Sequence, residues 1–181
     1  MASLIHQWRE FWGYRMQDRE AARTAVAQRT GGPFSFRSAL ILVPADQPRA
    51  MAAAEMIGQE WSHRGVQVNR LGYYPDKVDH PEAPCSYFNR KALDRKGAPH
   101  GDVVDSIRRS SVDVVLLVSA ERILPLDWVA LQTSARLKIA HSAAPDWYDL
   151  RLDGHEDNLN EMVRRADQLI ETMKTKTNVI A

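Results

Sequence analysis

Short, almost wholly apolar runs alternate with stretches of helical spacing along most of the chain. Ser38–Pro44 (SALILVP) and Asp113–Ser119 (DVVLLVS) carry the pattern of strands buried on both faces. Val66–Tyr73 alternates and predicts a second strand, with further strands over Leu137–Ala140 and Trp147–Leu152. Between them, Met51, Met56, Ile57 and Trp61 recur at helical spacing up to Gly65, with Asp46 as the expected N-cap and Pro48 in the first turn. Asp102–Ser110, Leu126–Ser134 and Glu156–Lys174 are the other predicted helices, the last bearing an apolar stripe of Leu159, Met162, Val163, Ala166 and Ile170. Residues 75–101 hold four prolines and no strong period, so they predict loop with a short strand near Tyr87-Phe88. Strand–helix alternation with doubly buried strands predicts one mostly parallel, Rossmann-like α/β sheet flanked by helices, with Val114, Leu116 and Val118 in its core.

The first 33 residues follow a different pattern. Leu4 to Gln28 contains one glycine and no proline, which predicts a long helix ended by Gly31-Gly32-Pro33. Successive residues turn by 100°, which gathers Leu4, Ile5, Trp8, Phe11 and Trp12 in one sector. Arg15, Arg19 and Arg23 continue that stripe at four-residue steps. Two units are expected: a basic amphipathic N-terminal helix with its linker over 1–33, and an α/β domain over 34–181.

Charge sharpens this division. Residues 1–37 hold six arginines against three carboxylates, whereas the whole chain of 181 residues has a formal charge of +1. The body is therefore mildly acidic, and a uniformly basic polyanion-binding surface is excluded. The lone Cys85 excludes an internal disulfide and a four-thiolate zinc site. No apolar window reaches the ~18 residues of a membrane span, and the N-terminus lacks the pattern of a secretory signal. A cytoplasmic globular protein is expected.

The turn after the first strand is where a parallel sheet of this kind takes a dinucleotide, and that chemistry requires glycines so that backbone can approach the pyrophosphate. Here the turn reads Pro44-Ala45-Asp46-Gln47-Pro48, which puts a carboxylate where a phosphate would sit. No conventional nucleotide cofactor, and no cofactor of any other kind, is expected. Asp76, Asp79, His80, Cys85 and His100 lack the tight spacing of a metal site, so no metal is expected either. Ser119 and His141 end strands and Asp149 lies in the next, so with Asp46 they could line a crevice at the C-terminal sheet edge. Ser119 has no Gly-x-Ser-x-Gly elbow to make it a nucleophile. Trp8, Trp12, Arg15, Arg19 and Arg23 are the candidate partner-binding residues, because tryptophans bury large areas and arginines pair with phosphate or carboxylate. The plainer alternative is that the tryptophans pack the helix on its own body.

From Phe36 to about Met173 the chain resembles an uncharacterised family of short Rossmann-like α/β proteins common in Bacteroidetes-type bacteria. The resemblance is carried, in order, by Tyr87–Gly97 (YFNRKALDRKG), Val112–Val118, Leu131–Ile139 (LQTSARLKI) and Trp147–Leu152 (WYDLRL). His141 stands where that family tends to have glycine. The resemblance implies a Rossmann-like fold and a basic N-terminal helix, and it implies no activity or catalytic residue. Ser119 to His141 is also faintly similar to the N-terminal half of ADP-heptose-type glycosyltransferases.

Two functional classes follow. The favoured expectation is a non-enzymatic interaction module whose N-terminal helix docks on a larger protein, a ribonucleoprotein or a membrane surface. The alternative is a small-ligand binder or enzyme, glycosyltransferase-half-like, that uses the crevice near Asp46, Ser119, His141 and Asp149. A well-formed polar cleft at the strand ends would favour the second. No feature specifies an oligomeric state.

Overall fold

The computed structural model describes residues 13–21, 34–153 and 156–179. Six strands, β1 (Ser38–Pro44), β2 (Gln67–Tyr74), β3 (Ser86–Asn89), β4 (Ser111–Leu117), β5 (Ser134–His141) and β6 (Leu150–Leu152), form one sheet in the order β3-β2-β1-β4-β5-β6. All five pairings are parallel. The helices are α1 (residues 13–21), α2 (Pro48–His63), α3 (Asp102–Arg109), α4 (Leu124–Gln132) and α5 (Leu159–Val179). The expected α/β fold with flanking helices is thus the observed one, with Val114, Leu116 and Val118 fully buried.

Both faces of the sheet are covered, as the apolar runs require. On one face Ile41, Val43, Leu116 and Ile139 meet Ala53, Ile57 and Trp61 of α2 and Met162, Val163, Ala166 and Ile170 of α5. Leu40, Leu42, Val115 and Leu117 point the other way, onto Val104 of α3 and Leu126, Val129 and Ala130 of α4. That alternation within one strand is the period-two consequence of the pleat. At the start of the central pair, the Asp113 carboxylate accepts from the Arg37 and Ser38 amides at 2.8 and 3.0 Å and from the Ser38 hydroxyl at 3.2 Å.

Several boundaries differ from the sequence-based expectation. The N-cap of α2 is Gln47, not Asp46, because Pro48 opens the helix and the cap is the residue before it. Helix α4 ends at Gln132, where the Thr133 hydroxyl bonds Val129 O and the chain turns extended two residues earlier than expected. The expected strand over Trp147–Leu152 is reduced to its last three residues. Trp147 stacks on Tyr148 with ring centroids 4.1 Å apart, and Tyr148 turns inward to Asp127, so this aromatic pair serves the core and not a ladder. Of the long helix expected over Leu4–Gln28, the structure describes 13–21 as helical; the remainder and the Gly31-Gly32-Pro33 boundary lie outside the described residues. Among the described residues no helix is long and apolar enough to cross a membrane.

Trp61 joins α2 to α5. It is fully buried, meets Phe36 edge-on with ring centroids 4.9 Å apart, and donates its indole N–H to Asp167 at 2.8 Å. Replacing it with alanine should cost about 3–5 kcal/mol, as expected for truncating a large core aromatic. Trp61→Phe, which keeps most of the volume and loses the hydrogen bond, should cost less. Urea denaturation of the two variants checks the order.

Candidate ligand-binding crevice

The strand order reverses between β1 and β4. From β1 the chain adds β2 and β3 on one side; it then crosses back and adds β4, β5 and β6 on the other. The loops that leave the C-terminal ends of β1 and β4 diverge, and the gap between them is where open parallel sheets take ligands. Across it, Gln47 Nε2 donates to Glu121 Oε1 at 2.9 Å. The usual phosphate cradle is missing at the sequence level and in three dimensions. Pro48 sits in the first turn of α2 and has no N–H to offer. Asp46 lies beside it and would repel an anion.

A cavity of about 740 Å³ nevertheless occupies this position, within the range that holds a small organic ligand. Among the described residues its wall carries Lys77, Arg90, Lys91, Arg95 and Arg122 against two carboxylates, Asp46 and Asp94. Leu93, Ile123, Leu124 and Pro125 give it an apolar side. Asp94 is committed to its own turn, where it accepts from the Lys96 amide at 2.7 Å and the Ala98 amide at 2.9 Å. Lys91 pairs with Asp79 at 2.9 Å. Lys77, Arg90 and Arg95 make no ion pair among the described residues.

The segment that supplies most of these cations lies outside regular strands and helices apart from one short 3-10 turn, yet it is well tied down. Asn89 caps that turn by accepting from the Lys91 amide at 3.0 Å, and its Nδ2 donates to Val78 O at 2.7 Å. Leu93 and Pro99 form an isolated bridge. Between them Gly97 adopts a φ of +80°, which favours glycine, and a Cβ there would come within 2.9 Å of Leu124. Nearby, Asp76 bonds His80, whose ring stacks on Tyr74 with centroids 3.7 Å apart. The His80 hydrogen bond, first among its causes, holds the Asp76 carboxyl below its ordinary range.

Arg122 forms the opposite wall and ties the crevice to α1. Its Nε donates to Asp127 at 3.2 Å, and Nη2 donates to Gln17 Oε1 at 3.1 Å and approaches Asp18 at 3.5 Å. Its guanidinium lies 4.0 Å from the centre of the Tyr14 ring. Helix α1 packs through Gly13, Gln17 and Ala21, each four residues beyond the last; a Cβ on Gly13 would lie 2.6 Å from Leu124 and 2.8 Å from Lys96 O. Asp127 is fully buried in α4 and also accepts from the Tyr148 hydroxyl at 2.9 Å. Burial pushes its carboxyl up to about 6, against the lowering effect of Tyr148 and Arg122.

The residues singled out from sequence fall in different places. Asp46 lines the crevice. Ser119 is buried and closes its own loop, donating to Glu121 O at 2.8 Å and accepting from the Glu121 amide at 3.2 Å. His141 is buried and, two and four residues beyond Ile139 and Leu137, faces the α2–α5 side of the sheet; burial pushes its pKa down, against the raising effect of a hydrogen bond with the Glu121 backbone. Asp149 accepts from the Lys138 amide at 2.7 Å, short of the end of β5. No hydrogen bond joins Ser119, His141 and Asp149, so the structure does not bring them together as a triad. Arg15 and Arg19 are exposed on α1, while Trp8, Trp12 and Arg23 lie outside the described residues.

The residues that sequence reasoning missed are the five cations and Asp127. The signal for Asp127 is its position as the one charged residue in an otherwise apolar helix, Leu124–Gln132, whose whole circumference must therefore be buried. Its raised pKa has a definite consequence. The unfolded chain releases this proton near the ordinary value of 3.8 and the folded chain near 6. Between those values the native state binds more protons, so this contribution stabilises below about pH 4 and is lost as pH rises towards 6. Asp127→Asn removes the titration. Its stability relative to the parent should rise by roughly 2 kcal/mol between about pH 4 and pH 6, measured by thermal melts across that window.

No curated protein matches the chain. One family model does, over residues 9–172, and it takes in α1 together with the sheet and the crevice. The chain belongs to that family, described as a family of unknown function (DUF6913).

Proposed function

We propose that this protein is a cytoplasmic binding module for a small anionic ligand, which it takes into the crevice beyond the C-terminal ends of β1 and β4. The observation that carries this reading is the excess of cations around a ligand-sized cavity at the point where strand order reverses. Side chains replace the backbone amides that a glycine-rich turn would supply. Guanidinium groups suit the task, since they pair with phosphate and carboxylate through two parallel bonds. Of the two classes expected from sequence, the cleft favours the small-ligand class.

Inorganic pyrophosphate is a suitable probe. It should raise the melting temperature of the full chain, and the rise should shrink with added salt because the contacts are partly screened. Arg90→Glu with Arg95→Glu should remove the effect. Arg15→Glu with Arg19→Glu should leave it intact, since both lie on α1 and neither lines the cavity. Stabilisation that survives the first pair and fails in the second would overturn the assignment.

A second reading has its own observation. Helix α1 faces inward through Gly13, Gln17 and Ala21 and leaves Arg15 and Arg19 exposed on its outer side. That face suits docking on an acidic surface of a larger partner, the interaction-module function expected from sequence. Affinity capture with the parent and the Arg15→Glu, Arg19→Glu variant tests it. A partner retained equally by both counts against it.

A further inference from the structure

The cations of the crevice are not on one side. Lys77 follows β2, and Arg90 and Lys91 follow β3, all on one flank of β1. Arg122 follows β4, on the other flank. Between the flanks, in the loop that leaves β1, stands Asp46, an exposed carboxylate on the cavity wall. Cationic donors therefore bracket a central acceptor, Arg122 through Nη1, the guanidinium nitrogen that its bonds to Asp127, Gln17 and Asp18 do not use. A single compact anion placed between the flanks would meet Asp46, whereas one placed at either flank would leave the other cations unused. The arrangement suits a ligand with an anion at each end and hydrogen-bond donors in between.

Two further features narrow the class. The middle of the ligand must donate to a carboxylate, which hydroxyl groups do. A nucleobase would need a free aromatic face or open polar edges. The two lining aromatics among the described residues do not offer the first: Tyr14 lies against the Arg122 guanidinium, and Tyr73 is buried against Phe88 with ring centroids 5.1 Å apart. Gln47, the amide at the centre of the wall, is engaged with Glu121. The apolar side formed by Leu93, Ile123 and Leu124 suits the C–H face of a sugar ring.

We propose that the crevice takes a polyol carrying a phosphate at each end, a sugar bisphosphate being the simplest member; this rests on the anion-binding reading of the same site. One phosphate meets Arg90, Lys91 and Lys77, the other meets Arg122, and Asp46 accepts from a hydroxyl between them. Arg95 stands on the Gly97 turn, which is seated against Leu124, and adds charge from that side of the cavity.

Titration calorimetry on the full chain, at fixed ionic strength, with fructose bisphosphate, fructose monophosphate, pyrophosphate and ADP tests the assignment. The bisphosphate should bind at least about tenfold more tightly than the other three. Arg90→Glu should bring it down to the level of the monophosphate. Asp46→Asn should weaken the bisphosphate by about tenfold and leave pyrophosphate unchanged or tighter, a split that a merely misfolded variant would not produce. Equal affinity for monophosphate and bisphosphate, tighter binding of ADP, or no effect of Asp46→Asn would overturn the ligand class. If pyrophosphate still bound and still required Arg90 and Arg95, the anion-binding function would stand without it. If none of the four bound, both would fall.

Discussion

Where β1 lies against β4, the chain stops adding strands on one side and begins adding them on the other. Everything that makes a crevice possible depends on that pairing. At its N-terminal end the two strands are held by the Asp113 carboxylate, which draws in the Arg37 and Ser38 amides and the Ser38 hydroxyl. Several hydrogen bonds on one carboxylate are stronger than the same number between neutral groups. Through the middle, Leu40, Ile41 and Leu42 pair with Val115, Leu116 and Leu117 in a wholly buried ladder. The strands are closed at one end and packed along their length, so their loops separate only at the other end, where the charges lie.

The central strands were legible in the sequence because burial on both faces leaves little room for polar residues, and the short apolar runs Ala39–Val43 and Val114–Val118 are their direct trace. The Ser119, His141 and Asp149 constellation was a weaker inference of the same kind. It assumed that residues near strand ends face a common opening, whereas Ser119 closes its own loop and His141 points to the α2–α5 face. Successive residues of a strand face opposite sides, so a shift of one position decides whether a side chain is site or core. The cations of residues 77–95 escaped for another reason. A loop has no periodicity, and its prolines and single residues give no hint of what folds over what. Only the tertiary path, with Gly97 against Leu124 and Asn89 against Val78, brings Arg90 and Arg95 to the same cavity as Arg122.

In the N-terminal helix, of which residues 13–21 are described, an argument from one face leaves part of the packing out. Arginines at four-residue steps do lie outward at 15 and 19. The inward face joins an apolar contact, Ala21 with Tyr14 and Met16 on Leu124, Trp128 and Leu131, to two positions of another kind: Gly13 fits where any Cβ would collide, and the buried Gln17 accepts from Arg122. A sector drawn through large apolar residues passes over a glycine and a glutamine.

On the proposed reading Arg122 has two duties that set limits on each other. It is anchored by Asp127, Gln17 and Tyr14, which fixes its position far better than a surface arginine's rotamer freedom would allow. The cations on the facing flank are exposed and long, so ordering them on a ligand carries an entropic cost that Arg122 does not incur again. Discrimination between ligands should then come from the Arg122 flank, where geometry is set before binding. Affinity and its salt dependence should come from Arg90, Lys91 and Lys77. The anchoring also has a structural side. A ligand that draws on Arg122 pulls on the residue that holds α1, so occupancy of the crevice and seating of the helix are linked through one guanidinium, and each favours the other to the extent that both contacts can be made at once.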